Sequence, residues 1–430
     1  MLQANNVTTM SITLIVKIRK RKVWKFVLWM PICALIIYLY LGRSSRILEG
    51  HASCKQYAEN EATWDLTCSS IDAFHPKRWS SRRRKTQILF YNMESWFPMN
   101  DVNNYMSKCT FGMCSLTTNR SFIKTADAIL YVIPYGYSNL KQPPIQRKDR
   151  NPNQPWIFMV FESPFNTHAD ELSKPEWRNM FNWSMSYRLD SDIHLPYGCI
   201  APNLQPTPTN YINIVSRKSK MAAWIVSNCN DDSRRLEFVR ELKREGVEVD
   251  IYGACGTGKL TNESVLQQYK FYLALENSLC TDYVTEKFFE RYNHDLILIT
   301  LGGIAYNRYF PSGTFIDASA FRNISTLAKY ILHVNGNDTK YMELLTSKNR
   351  FVTRGAHTYG RKYGFCKLCE MVRNYDQYRK SYYDIVDYIE NRLCWSPNEM
   401  WNKNSTNCLS QQALRQYKHK KTGNVWNFLL

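Results

Sequence analysis

The second half of the chain alternates short apolar runs with amphipathic helical segments. Strand-like runs cover residues 221–228, 247–251, 269–277 and 295–303, and helical patterns cover 232–246, 283–293 and 324–333. Repetition of strand, helix and strand predicts an α/β fold with a parallel sheet and helices on both of its faces. Further buried-strand candidates lie at 86–92, 126–136 and 154–164. Ligands of such sheets bind at the carboxyl ends of the strands, so chemistry is sought there.

A glycine-rich turn follows one of these strands and imitates a phosphate-binding loop. In "DIYGACGTGKL", residues 250–260, Gly253 is followed by four residues and then by Gly258 and Lys259. A phosphate loop requires Ser or Thr after the lysine to hold Mg²⁺, whereas Leu260 stands there. The neighbouring Cys255 also suits a disulfide. The stretch therefore predicts an ordinary turn, which leaves room for it to line a nucleotide site.

A second stretch that resembles a ligand-binding motif is "LDSDI", residues 189–193. Asp190 and Asp192 are spaced like the D-x-D pair with which many sugar-nucleotide enzymes hold Mn²⁺. Two acidic residues one apart occur often by chance, and no cluster of His or further carboxylates accompanies them. We therefore predict no metal site.

The N-terminal region predicts a membrane anchor. A basic cluster at 17–22 precedes the apolar stretch 23–42, in which Lys25 is the single charge. This length is near the lower limit for one spanning helix. The positive-inside rule makes 1–22 a cytoplasmic tail and places everything after residue 42 on the far side, with 43–85 as a stem. A cleaved signal peptide is the alternative, although no small-x-small cleavage motif follows.

Features beyond the span agree with an oxidising, glycosylating compartment. Twelve of the 13 cysteines lie there. Six N-x-S/T sequons follow the span, at Asn119, Asn182, Asn262, Asn323, Asn337 and Asn404. The net charge of +19 favours an anionic partner. This compartment excludes nucleic acid and leaves an acidic nucleotide-sugar as the natural ligand.

The stretch "FYLALENSLCTDYVTEKFFE", residues 271–290, combines a strand end with a helix start. The strand ends in Glu276 and Asn277, and Tyr283, Glu286 and Lys287 open the helix. A helix N-terminus and a cation at the edge of a parallel sheet suit a diphosphate. An ordinary solvated helix start is the alternative that these residues leave open.

This stretch resembles the hallmark of the α1,3-fucosyltransferase family. Other segments resemble family motifs in the same order: "WIFMVFESP" (156–164), "FNWSMSYRLDSDIHLPYG" (181–198), "AAWIVSNC" (222–229), "LGGIAYNRYFPSGTFID" (301–317) and "GFCKLC" (364–369). The resemblance covers roughly residues 86–370. One segment, "RYNHDLILITLGG" (291–303), departs from the pattern because it lacks the family's Gly and Pro.

The resemblance implies a GT-B-like fold of two facing Rossmann-like domains behind the anchor and stem. Residues 86–215 would form an acceptor-side domain, 216–360 a GDP-fucose-binding domain, and 361–430 a cysteine-containing helical segment that packs back on the body. The implied reaction moves L-fucose from GDP-β-L-fucose to the 3-hydroxyl of GlcNAc in glycoprotein or glycolipid glycans, with inversion. The implied location is the Golgi membrane, as a single-pass type II protein with a lumenal body.

The resemblance also implies a role for individual residues. Glu162 matches the general base, for which a strand-end cap or salt bridge is the structural alternative. Arg235 and Lys287 match cations on the diphosphate, and the remaining donor-binding positions are Asn277, Tyr283 and Glu286. No cofactor is expected to be essential, and Mn²⁺ or Mg²⁺ would at most stimulate the reaction.

The resemblance covers the C-x-x-C pair Cys366 and Cys369 as well. We expect these two cysteines to face distant partners, with Cys109 and Cys114 as the candidates. Two other functions stay open at this stage. One is a catalytically silent glycan-binding protein of the same fold, and the other is a transferase that uses another nucleotide-sugar with Mn²⁺ held by Asp190 and Asp192.

Overall fold

A computed structural model of the chain describes residues 85–109, 113–133, 142–167, 169–206, 208–258, 260, 262–304, 306–355, 360–390 and 394–396. The predicted tail, anchor and nearly all of the predicted stem lie outside these residues, as do Lys259 and Asn404. Among the described residues, no helix is both long enough and apolar enough to cross a membrane.

The elements alternate as the sequence pattern predicts. In chain order they are β1 (Thr86–Phe90), α1 (Met99–Ser107), β2 (Cys114–Thr117), β3 (Ala128–Val132), β4 (Trp156–Val160), β5 (Trp183–Ser186), β6 (Ile193–His194), β7 (Gly198–Pro202), α2 (Tyr211–Val215), β8 (Lys220–Ile225), α3 (Arg235–Arg244), β9 (Val249–Tyr252), β10 (Tyr269–Leu275), α4 (Glu286–Phe289), β11 (Ile297–Leu301), α5 (Tyr306–Tyr309), β12 (Ile316–Asp317), α6 (Ile324–Asn335), α7 (Asp338–Asn349), β13 (Phe351–Gly355), α8 (Arg361–Arg373) and α9 (Ile385–Glu390). Short 3₁₀ turns connect several of them.

Two parallel sheets organise the described residues. The first sheet has six strands in the order β2-β1-β3-β4-β5-β6, and the second has five in the order β12-β11-β10-β8-β9. Every pairing within them is parallel. Strands β3, β4 and β10 are buried along their whole length, as apolar runs in a covered parallel sheet must be. The predicted α/β class with parallel sheets is therefore correct.

The C-terminal part of the chain returns to the first sheet. Helix α8 packs Phe365, Leu368 and Met371 into the apolar cluster that β1, β3 and β4 form with α1. Two disulfides, Cys109–Cys366 and Cys114–Cys369, join it to α1 and β2. These are the four cysteines that the sequence singled out, and their loops of more than 250 residues favour a large entropic restraint on the unfolded chain.

One predicted helix is much shorter than expected. The pattern over 283–293 predicted eleven helical residues, whereas α4 has four. The carbonyl of Phe289 accepts a hydrogen bond of 2.6 Å from the Thr353 hydroxyl of β13. That carbonyl is therefore used across elements, where a continuing helix would have given it to the amide of Asn293.

Candidate functional site

The carboxyl edges of the two sheets meet at the loops that follow β4 and β10. Glu162 comes two residues after β4, and its carboxylate accepts a 3.0 Å hydrogen bond from the Tyr283 hydroxyl. One residue further along, the hydroxyls of Ser163 and Ser278 are 2.7 Å apart, and both residues are fully buried. Hydrogen bonds between the two loops therefore hold Glu162 at the cleft that the sheets share.

A cavity of about 490 Å³ opens beside Glu162. Its lining comes from the loops after β1, β3, β4 and β6 and from the first residues of α4 and α8: Glu94, Trp96, Val132, Ile133, Phe161, Glu162, Leu195, Pro196, Tyr197, Glu286 and Arg361. Glu162 and Glu286 line the same cavity, as the predicted roles of base and donor-binding residue require of them.

A buried carboxylate organises the second-sheet side of the cleft. Glu276, which is 0% exposed, accepts 2.8 Å hydrogen bonds from both the amide and the hydroxyl of Thr285. Its other partner is the Lys287 ammonium group at 3.3 Å. Glu276 therefore fixes the start of α4 and the position of Lys287 together.

Lys287 is held in its charged form. Its ammonium group lies 2.9 Å from the Glu286 carboxylate and donates to the Thr285 hydroxyl at 2.8 Å. Burial opposes the charge, but Glu276 and Glu286 outweigh it and raise the pKa of Lys287. Burial raises the pKa of Glu276, while Lys287 lowers the pKa of Glu286 against the effect of burial. The result is a permanent cation at the edge of the second sheet.

Tyr283 is placed to orient Glu162. Burial raises the pKa of Tyr283 well above its ordinary value, and the neighbouring Tyr197 and Glu162 raise it further. The phenol therefore stays protonated, and its hydroxyl donates a hydrogen bond to Glu162. The Tyr197 hydroxyl donates to the carbonyl of Phe161 at 2.6 Å, which fixes the backbone just before Glu162.

Asn277 carries an unsatisfied buried atom. Its side-chain oxygen is inaccessible to water and has no hydrogen-bond partner among the described residues. An uncompensated buried amide costs about 1–3 kcal/mol. The donor-binding role of Asn277 stays a prediction.

Arg235 lies deeper than a ligand contact requires. It is 5% exposed, and its guanidinium donates to Asp231 at 2.5 Å, to the Leu275 carbonyl at 2.9 Å and to the Asn228 carbonyl at 3.2 Å. These bonds tie α3 to the end of β10. Whether Arg235 also reaches a diphosphate stays a prediction.

The helix start that the sequence offers as an anion site is only one short turn. Helix α4 has only four residues, and the Glu276 carboxylate accepts from the amide of Thr285, the residue just before it. So short a helix has little dipole to offer, and a negative group already occupies its start. The cation Lys287 remains as the feature that suits a diphosphate.

The glycine-rich turn at 253–258 is not a phosphate loop. Its amides are used internally: Gly253 donates to the Gly258 carbonyl at 2.7 Å, and Thr257 donates to the Ile251 carbonyl at 3.0 Å. A disulfide joins Cys255 to Cys229. Gly253 has a φ of +90°, and a Cβ there would lie 2.3 Å from the Val226 carbonyl oxygen. The glycines thus serve a close backbone approach.

Asp190 and Asp192 both have protein partners. Asp190 receives two hydrogen bonds from Arg188, and Asp192 receives them from Lys380, Tyr382 and Ser184. Their oxygens are engaged in holding β5 and the segment after α8. No group of three or more His, Cys, Asp or Glu suited to a metal occurs among the described residues.

The sequons differ in their surroundings. Asn182 is 5% exposed, and its side-chain nitrogen donates to the Lys380 carbonyl at 2.7 Å. This buried amide has no room for a glycan, so its prediction as a glycosylation site was wrong. The other four described sequon residues are exposed and cap helices or turns through the side-chain oxygen, which leaves the nitrogen free of the cap: Asn119, Asn262, Asn323 and Asn337.

Sequence reasoning missed several residues of the cleft. Glu276 was read as the end of a strand, and Glu94, Trp96, Tyr197 and Arg361 were not singled out. A carboxylate at the end of a wholly apolar run is a signal that could have identified Glu276, because burial of a charge requires a partner. No comparable local signal exists for the other four.

The fold and cleft define an α/β protein whose candidate site lies at the carboxyl ends of two parallel sheets. A family model described as "Fucosyltransferase, N-terminal" matches residues 83–198, and one described as "Glycosyltransferase family 10 (fucosyltransferase) C-term" matches residues 215–388. The chain belongs to the glycosyltransferase family 10 fucosyltransferases.

Curated relatives agree with this assignment. Glycoprotein 3-α-L-fucosyltransferase A of Drosophila melanogaster is 32% identical over 72% of this chain and 61% of its own, and α-(1,3)-fucosyltransferase 4 of Mus musculus is 32% identical over 56% of each. A 3-galactosyl-N-acetylglucosaminide 4-α-L-fucosyltransferase of Bos taurus is 35% identical over 62% of this chain and 72% of its own. The chain thus spans less than two thirds of the first two relatives.

Among solved structures, an α1,3-fucosyltransferase crystallised with GDP-fucose aligns with 65% of this chain and 87% of its own. The TM-score is 0.43 and the sequence identity is 17%. This similarity is too low to transfer any feature of a site.

Proposed function

We propose that the protein transfers L-fucose from GDP-β-L-fucose to the 3-hydroxyl of a GlcNAc residue in a glycan, with inversion and with Glu162 as the general base. One observation carries the proposal. Glu162 is a half-buried carboxylate that accepts one hydrogen bond from Tyr283 and lines a 490 Å³ cavity together with Glu286. This leaves lone pairs of Glu162 available to a substrate hydroxyl.

Inversion needs a single direct displacement. Glu162 removes the proton of the acceptor hydroxyl as its oxygen bonds to the anomeric carbon of fucose. The bond from that carbon to the GDP oxygen breaks on the opposite face, and GDP leaves with the electron pair. The transition state carries positive charge on the sugar ring and growing negative charge on the diphosphate.

The second sheet supplies the stabilisation of the leaving group. Lys287 is a permanent cation positioned by Glu276, and a preorganised cation stabilises developing negative charge without rearrangement. Asn277 stands just after the end of β10 and is the candidate for a further contact with the nucleotide-sugar. The Glu286 carboxylate accepts hydrogen bonds from hydroxyls of the fucose or ribose. Arg235 supports this edge and contributes a second positive charge.

No metal has a role in this proposal, because Asp190 and Asp192 are engaged by Arg188 and Lys380. Mn²⁺ or Mg²⁺ would at most stimulate. The departure at 291–303 contains β11, paired with β10 and β12, so the predicted strand is kept in this segment. We further propose a two-domain GT-B-like arrangement and residence in the Golgi membrane, anchored by 23–42. The described disulfides support an oxidising lumen.

The decisive experiment supplies the purified full chain with radiolabelled GDP-fucose and a panel of uncharged acceptors. The panel contains N-acetyllactosamine, LacdiNAc and the chitobiose core. Transfer to at least one acceptor, and an α1,3 linkage by NMR of the product, are expected. Release of free fucose without an acceptor reports donor use by itself.

Two outcomes would contradict the proposal. If the chain neither hydrolyses nor transfers GDP-fucose while it still binds the glycans, the silent binding protein is the correct function. If activity appears only with another nucleotide-sugar and disappears with a chelator, the donor and the metal-free mechanism are both wrong.

A further inference from the structure

Trp96 is an exposed aromatic side chain at the wall of the cleft. It is 56% exposed and lines the same cavity as Glu162. Ligand pockets are lined predominantly by apolar and aromatic side chains, so an exposed indole at a cavity wall is available to a ligand.

The indole is held in place by its neighbours. Its ring meets the edge of Phe161 at a centroid distance of 5.5 Å, and Phe161 directly precedes Glu162. The adjacent Phe97 is 5% exposed and packs against Phe90 at 4.9 Å and Phe365 at 5.7 Å. The indole therefore has a defined position relative to the carboxylate of Glu162. A rigid aromatic group binds a ligand with little loss of conformational entropy.

Glu94 adds a polar group to this wall. It lies two residues before Trp96, and its carboxylate accepts no hydrogen bond from any of the described residues. A carboxylate has two oxygens and accepts from two neighbouring hydroxyls at once. An aromatic face beside a free carboxylate complements a sugar ring, which has an apolar C–H face and hydroxyls around its edge.

The charge of the cavity selects among sugars. Among the described residues that line it, three are carboxylates, Glu94, Glu162 and Glu286, and one is a guanidinium, Arg361. A bound nucleotide diphosphate would add further negative charge. An acceptor with its own carboxylate or sulfate would then meet like charge in a partly desolvated site.

We propose that Trp96 and Glu94 form the binding site for the acceptor sugar and that this site takes an uncharged glycan. This inference rests on the proposed function. Trp96 covers the C–H face of the acceptor sugar ring next to the reacting hydroxyl. Glu94 accepts hydrogen bonds from hydroxyls at the edge of that ring. Both residues act on acceptor affinity, and neither takes part in binding of GDP-fucose.

The test measures acceptor KM, donor KM and kcat for variants of the full chain, with N-acetyllactosamine as the uncharged acceptor. Trp96→Ala is expected to raise the acceptor KM about tenfold or more, with the donor KM and donor hydrolysis within about twofold of the parent. Trp96→Phe should restore most of the affinity, because a smaller ring still stacks. Tyr383→Ala removes another exposed aromatic group, 62% exposed, outside the cavity lining and should change neither KM.

The charge inference is tested with sialylated N-acetyllactosamine beside the uncharged form. Glu94→Gln should raise the ratio of kcat/KM for the sialylated over the uncharged acceptor by about fivefold. An unchanged acceptor KM in Trp96→Ala, or an unchanged ratio in Glu94→Gln, would show that the proposed acceptor site is wrong. If the parent still transfers fucose in that case, the proposed function stands. A parent that does not use GDP-fucose at all overturns the proposed function instead.

Discussion

The two sheets bring differently prepared carboxylates to the shared cleft. Glu162, after β4 of the first sheet, is half-buried and accepts one side-chain hydrogen bond within the described residues. Glu276, after β10 of the second sheet, is fully buried and accepts two hydrogen bonds from Thr285 in addition to its pairing with Lys287.

This difference fits the roles proposed for the two groups. A base must exchange a proton with a substrate, so it needs unused lone pairs at an accessible surface. A group that positions a cation must stay immobile, so its lone pairs are satisfied within the protein. In the proposed reaction, the first sheet therefore contributes the base, and the second contributes a cation held in a fixed position.

The strongest test of this contrast is Glu162→Gln. The amide can still accept the Tyr283 hydrogen bond but cannot take a proton, so kcat should fall by ~10²–10⁴-fold. GDP binding by calorimetry should stay within about threefold of the parent, and the melting temperature should not change. Glu343→Gln, at an exposed position of α7, is the matched control. Transfer at more than about a tenth of the parental rate would exclude Glu162 as the base.

Arg235→Ala should act on stability. It leaves Asp231 buried without its partner, and loss of one member of a buried ion pair costs about 3–5 kcal/mol. Urea unfolding followed by fluorescence would measure this loss. Arg244→Ala on the same helix removes an exposed arginine and should cost less than about 1 kcal/mol. Normal stability together with lost GDP binding would make Arg235 a ligand contact and not a support.

Lys287→Ala should weaken donor binding more than folding. It removes a charge-assisted contact of about 1.5–3 kcal/mol, so GDP should bind about tenfold more weakly or worse. Lys259→Ala, after the glycine-rich turn, should have much less effect. If Lys259→Ala abolishes GDP binding and Lys287→Ala leaves it intact, the diphosphate binds at the glycine-rich turn. The proposed contrast between the two sheets would then be wrong.

A second lysine sharpens the comparison, with a smaller effect. Lys348 is 6% exposed and donates to the His294 carbonyl near the amino end of the second sheet. Burial lowers its pKa to about 7, against the influence of Asp295. Between pH 7 and about 10.4 the unfolded chain binds a proton that the folded chain lacks, so folding becomes more favourable as pH rises.

The free energy of unfolding of the parent, relative to Lys348→Met, should therefore rise by about 1 kcal/mol from pH 7.5 to 8.5. Urea melts of both proteins at the two pH values measure it. In the matched variant Lys340→Met, at an exposed position, the free energy of unfolding should change with pH as it does in the parent. A parent-to-variant difference that stays constant between the two pH values would show that Lys348 is charged when folded.

Much of the architecture follows from local sequence. The predicted runs at 86–92, 126–136, 154–164, 269–277 and 295–303 all contain a strand of the structure, and helix 232–246 contains α3. A strand covered on both faces must be apolar along its length, and this requirement is visible in any window of five to seven residues. The position of Glu162 just after such a run is likewise a local property.

The sequence by itself determined which segments become strands and which polar residues stand at their ends. Only the tertiary structure decided what those residues touch. The bond from Tyr283 to Glu162 joins positions 121 residues apart, Thr353 ends α4 from 64 residues away, and the sequon at Asn182 is buried by Lys380, 198 residues further on. Periodicity reports how buried a residue is because burial repeats along one element. Pairings between elements depend on how the whole chain packs, and no local pattern contains that information.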